Sequence, residues 1–210
     1  MTRTLKRTMN KLVKQTAPGP AATFSVFHAL YALELISDKS IGRSRLAERM
    51  GLGEGVVRTI INRMKKEGII RVTRAGCTLT GKGLRLWNEY KRAFSKKIEL
   101  EKTGLAFGNY SFAILVKTRG DMIRSGLKQR DAAIMAGARG ATTILFVKNR
   151  LTIPSVGDNI DEYIPEAARM MIQLLKPEEN DVIVIGSADS SLKAQYGTLA
   201  AAWTLIDDCS

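Results

Sequence analysis

Arg58, Thr59, Asn62, Arg63 and Lys66 lie within nine consecutive positions, and at the 3.6-residue helical period they share one face while Val57, Ile60, Ile61 and Met64 share the other. An arginine fork matches the two major-groove acceptors of guanine, and an asparagine amide matches the acceptor and donor of adenine. Arg58, Thr59 and Asn62 are therefore suited to base edges, with Arg63 on the same outward face. Arg43, Ser44, Arg45 and Lys66 suit phosphate oxygens, and Arg74, at the tip of a short hairpin pattern, suits a minor groove.

Other chemistries find less to work with. His28 is the single histidine and sits among Phe24, Phe27 and Tyr31, the setting of a packed residue rather than a catalytic base. Cys77 and Cys209 lie far apart without partners for a disulfide or a zinc site. Asp158, Asp161, Glu162 and Glu166 stand near a helix start, where acids serve the helix dipole more often than a divalent metal. Gly51, Gly53 and Gly55 follow a helical pattern, and the third glycine comes one residue too early for a dinucleotide fingerprint. Gly76 to Lys82 has the spacing of a phosphate loop, but the next position is Gly83, which lacks the hydroxyl that would hold Mg²⁺. No cofactor and no metal are expected, and a catalytic role is not expected.

Charge divides the chain. Residues 1–102 carry 22 Lys+Arg against 8 Asp+Glu, a net charge of +14, whereas residues 103–210 carry 11 against 12, a net charge of −1. The basic half calls for a polyanion, and the neutral half for something else. The lack of an apolar run of about 18 residues or of a signal-peptide core leads to an expectation of a cytoplasmic protein with no membrane partner.

The elements that must position these residues follow from pattern. Residues 1–19 form a basic arm ended by Pro-Gly-Pro, and FSVFHALYALELI is a buried helix. RSRLAERM is a short helix with Ser44 as its N-cap, GLGEG a tight turn, and residues 54–67 an amphipathic helix stopped by Gly68. Residues 69–80 read as two short strands. Leu84, Trp87, Tyr90, Phe94 and Ile98 recur at spacings of three and four, which predicts a helix over 81–100 whose stripe closes the domain or pairs with a twofold mate in a homodimer.

In order and spacing, LAERMGLGEGVVRTIINRMKKEGIIRV resembles the winged helix-turn-helix of bacterial and archaeal transcriptional regulators, and the two-module layout resembles archaeal regulators with a C-terminal domain of unknown function. The resemblance covers residues 20–100 and implies a double-stranded DNA partner, with residues 54–67 as the recognition helix.

After a linker at 101–109, residues 110–210 read β-α-β-β-α-β-α, which suits a ferredoxin-like sandwich with one added helix or a three-layer sheet. DVIVIG is apolar throughout and so central in its sheet. The turn after it, with Gly186, Ser187, Asp189, Ser190 and Ser191, offers hydroxyls and free N–H groups to a small anionic effector, or else merely caps the next helix. The expected function is a DNA-binding regulator with a sensory or assembly domain. The alternative is a nucleic-acid-associated enzyme with its active site in residues 103–210.

Overall fold

In a computed structural model of the 210-residue chain, the described residues are 3–14, 24–100, 108–154 and 160–206. They divide into two compact units, one up to Tyr90 and one from Lys91.

The first unit contains α1 (Arg3–Val13), α2 (Val26–Asp38), α3 (Arg43–Met50), α4 (Glu54–Lys66), strands β1 (Ile70–Thr73) and β2 (Gly76–Leu79), and the start of α5 (Gly81–Ala93). The expected basic arm is instead a core helix over its described part. Leu5, Met9 and Leu12 recur at i, i+4 and i+7 and are almost wholly buried, and this burial stabilises a helix whose other residues are mostly polar. Ser25 caps α2, and its backbone N–H donates to His28 Nδ1 at 2.9 Å. Burial holds the His28 pKa below its ordinary value.

Between α3 and α4 the chain turns at Gly51, whose φ of 62° is left-handed. Gly51 N–H donates to the Glu48 carbonyl and Leu52 N–H to that of Ala47, which ends α3 and redirects the chain into α4. The hairpin β1–β2 is joined by Arg74 and Ala75 and gains a third partner, because Ile41 and Cys77 exchange both backbone bonds. The span that had the spacing of a phosphate loop is thus β2 followed by a helix start.

The expected helix over 81–100 ends at Ala93. Residues Phe94–Leu100 form strand β3, which pairs antiparallel with β4 (Tyr110–Val116). The inward residues of α5 are Gly83, Leu86, Tyr90 and Ala93, so Leu84 faces water; Phe94, past the end of the helix, packs against Trp203 inside the second unit. A five-turn dimerising stripe does not exist. Residues 101–107 of the expected linker lie outside the described residues.

The second unit continues with α6 (Leu127–Met135), β5 (Gly140–Val147), β6 (Arg150–Thr152), α7 (Ile160–Tyr163), α8 (Pro165–Leu175), β7 (Asp181–Ala188) and α9 (Ser191–Trp203). The expected order holds with two differences: one extra strand precedes it, and the single helix expected over residues 161–175 is two, α7 and α8, separated at Ile164 just before Pro165. The sheet runs β3-β4-β7-β5-β6 with every neighbour antiparallel, so β7 separates β4 from β5. Of the two architectures expected, this is the three-layer one, because a ferredoxin-like sheet would place its last strand at an edge. Ala113, Leu115, Ile144, Phe146, Ile183 and Ile185 face Ala168, Met171 and Leu175 of α8. The alternate residues of the sheet lie under α9, where Thr198 Oγ1 donates to the Phe112 carbonyl. At the start of β7, the fully buried Asp181 pairs with Lys117 at 2.9 Å and accepts the N–H groups of Thr118 and Glu178.

Candidate functional site

The polar face of α4 is held outward by the burial of Val57, Ile60, Ile61 and Met64. Arg58, Thr59, Asn62, Lys65 and Lys66 are all exposed, and Arg58, Asn62, Lys65 and Lys66 make no side-chain hydrogen bond or salt bridge among the described residues. Thr59 donates its hydroxyl to the Gly55 carbonyl at 3.0 Å, so it presents a methyl group and an acceptor rather than a donor. A helix about 10–12 Å across fits a duplex major groove about 12 Å wide.

Arg63 does something else. Its Nη1 donates to the Leu12 carbonyl at 2.6 Å and to that of Lys14 at 3.3 Å, and its guanidinium lies 5.3 Å from the centre of the Phe24 ring. It ties the end of α1 to α4 rather than facing solvent. A carbonyl 51 positions away left no local trace in the sequence.

Around this helix the expected phosphate contacts separate into engaged and free groups. Gly42, not Ser44, caps α3. Arg43 pairs with Glu54 at 3.1 Å. The Ser44 hydrogen bond, followed by the charge of Arg43, holds the Glu54 carboxyl below its ordinary pKa. Arg45 is exposed without a salt bridge among the described residues. Arg74 is exposed at the hairpin tip, where Ser40 Oγ donates to the Ala75 carbonyl at 2.7 Å and fixes the turn. Lys65 and Arg71 complete the cationic surface and were not singled out by sequence, although Lys65 directly precedes Lys66 and Arg71 lies on the outward side of β1.

The five residues expected in one turn do not act together: Gly186 and Ser187 are paired residues of β7, and only Asp189, Ser190 and Ser191 follow it. Gly186 is buried where a Cβ would collide with Thr198 of α9, so helix packing demands it. Ser190 is the N-cap of α9, accepting from Lys193 N–H at 3.3 Å, and Ser191 Oγ accepts from Gln195. Asp189 pairs with Arg139 at 2.8 Å. Ser187 alone lines a cavity of about 280 Å³, together with Arg130, Arg139, Gly140, Ala141 and Thr142. The crevice at strand carboxyl ends is a property of parallel sheets, whereas here the end of β7 lies beside the beginnings of β4 and β5. Asp158 of the acidic group, the side chain of Asp161, and Cys209 lie outside the described residues; among the described residues no cluster of metal-ligating side chains occurs.

Residues 27–94 match the family model described as the CggR N-terminal DNA binding domain, and residues 107–205 match that of a domain of unknown function, DUF4443. The first match spans α2 through α5 and the wing, so the chain carries a DNA-binding domain of the helix-turn-helix type. A hypothetical protein from Pyrococcus horikoshii OT3 shares the fold with a TM-score of 0.71 and 27% identity, over 87% of this chain and 92% of that one. No curated protein matches the chain. Among the described residues, no helix is long and apolar enough to cross a membrane.

Proposed function

We propose that the chain is a cytoplasmic transcriptional regulator that recognises a specific double-stranded DNA site as a homodimer and receives a small-molecule signal through its C-terminal unit. The observation that carries this reading is the pair Arg58 and Asn62, one turn apart on α4. Both are exposed, and neither is engaged by a hydrogen bond or salt bridge among the described residues, within a segment that matches a DNA-binding family. Their donors and acceptors suit guanine and adenine edges, while Arg45, Lys65, Lys66, Arg71 and Arg74 supply the sequence-independent attraction. The exposed Leu84 and half-buried Trp87 on α5 are the residues left to a twofold interface once Phe94 and Ile98 belong to the sheet.

Fluorescence anisotropy tests the reading. Arg58→Ala or Asn62→Ala should cost about 1–3 kcal/mol on the preferred site and little on random DNA, with unchanged thermal stability. Lys66→Ala should weaken both about equally and lower the salt slope by about one. Equal losses for Arg58→Ala on the two DNAs would return that residue to the phosphate group, and duplex binding without any sequence preference would break the proposal.

A further inference from the structure

We infer that the cavity at the end of the C-terminal sheet binds a small oxyanion, the carboxylate or phosphate of a metabolite, between the guanidinium groups of Arg130 and Arg139. Arg130 comes from α6 and Arg139 from the turn into β5, and the two line one opening. The side chain of Arg130 has no hydrogen bond or ion pair among the described residues. Arg139 spends its Nε on Asp189 and its backbone N–H on the Ser187 carbonyl, which leaves the rest of a five-donor fork. Asp189 already balances the charge of Arg139, so Arg130 brings the cavity's unbalanced positive charge, and guanidinium groups bind planar or tetrahedral oxyanions through paired, charge-assisted hydrogen bonds.

The floor is built for occupancy. A Cβ placed on Gly140 would meet nothing within 4 Å, so the strand opens directly into the cavity. Ser187 is 4% exposed and accepts from Ser111 Oγ at 3.4 Å, which frees its own hydroxyl proton for a ligand. A volume of about 280 Å³ falls just below the range of about 300–1,000 Å³ that holds drug-sized ligands. A small acid fits and a dinucleotide does not.

The inference rests on the proposed signal-receiving role only for its regulatory meaning, because binding is measurable without DNA. The experiment is an amide NMR titration of the full chain with succinate, citrate and inorganic phosphate, each against sodium chloride at equal ionic strength. The expected result is saturable shifts at Gly140, Ala141 and Ser187 with a dissociation constant of roughly 1 mM or tighter. Whichever of the carboxylate and phosphate arms saturates identifies the headgroup. Arg130→Gln and Arg139→Gln, both surface changes, should each weaken binding about tenfold or more, and Gly140→Val should abolish it by filling the floor. No saturable shift with any of the three anions, or unchanged affinity in the Arg130→Gln/Arg139→Gln double variant, overturns the site. So do shifts confined to α4 and the hairpin, which would place the anion on the DNA-facing surface. Loss of sequence-specific DNA binding with anion binding intact would instead break the function proposed above.

Discussion

On the outward face of α4, Arg58, Asn62 and Lys66 point into water without a hydrogen-bonding partner, whereas at the end of the C-terminal sheet Asp189, Ser190 and Ser191 each answer to a neighbouring side chain or amide. Residue types that suggest a site thus divide by whether the fold has already used them. The unengaged cations of the first unit remain available to a polyanion. In the second unit most of the polar turn is spent on capping and pairing, and the available charge sits on Arg130, outside the turn. The same division runs through a single helix. Arg58 and Arg63 lie little more than one turn apart, yet one faces solvent and the other holds the end of α1.

The largest test of this comparison concerns the first strand of the second unit. Phe94 is 4% exposed and lies against Trp203 with ring centres 6.5 Å apart, so Phe94→Glu should destabilise the C-terminal unit by more than about 4 kcal/mol. Calorimetry should show that unit's transition lost while the first unit still unfolds cooperatively. Folded monomers with both transitions intact would restore a surface role for Phe94.

Arg63→Ala comes next. It removes a charged donor from a backbone carbonyl and a cation from an aromatic face, and should cost the first unit about 2 kcal/mol in denaturant unfolding. The ratio of specific to random DNA affinity should stay unchanged. A changed ratio would return Arg63 to the DNA-binding face of α4.

A smaller effect belongs to His28. Its folded-state pKa lies below the ordinary value of about 6.5, so the folded protein binds fewer protons than the unfolded chain just below that pH. The stability this contributes is present above about pH 6.5 and is lost as pH falls toward the lowered folded value. Melting temperatures between pH 7.5 and 5 should fall more steeply for the wild type than for His28→Gln, which keeps a side-chain acceptor for Ser25 N–H. Parallel profiles would remove His28 from the account.

Smallest is Gly55→Ala. Gly55 is exposed in the first turn of α4 with open space where a Cβ would go, so the substitution should stabilise the first unit by about 0.4–1 kcal/mol. A simultaneous loss of DNA affinity would show that backbone approach at Gly55, rather than stability, requires the glycine.

What was legible in the sequence was what local periodicity encodes. The faces of α3 and α4, the turn at Gly51 and the hairpin each follow from residues within one or two turns of each other. The stripe of Leu5, Met9 and Leu12 was also present, but the lysines, arginines and threonines around it outnumbered it. FSKKIEL fits both a helix continuing the spacing of Leu84, Trp87 and Tyr90 and a strand alternating Lys96, Ile98 and Leu100; only pairing with β4 decides between them, and a register shift after Phe94 takes that residue out of the alternation. The strand order, the Leu12 carbonyl under Arg63 and the convergence of Arg130 with Arg139 all depend on long-range contacts. No short window contains them.

The place of β7 between β4 and β5 also sets an order of events during synthesis. Tyr110 pairs with Ala188 and Gly140 with Ser187, so the middle of the sheet stays open until residues 181–188 have left the ribosome. The helices of the first unit make their contacts early and locally, which favours rapid folding, whereas closing β4 onto β7 requires ordering a long intervening segment first. A nascent chain would therefore present its cationic α4 face before its C-terminal sheet exists, and an arrest after residue 175 should leave β4 with an unpaired edge open to aggregation.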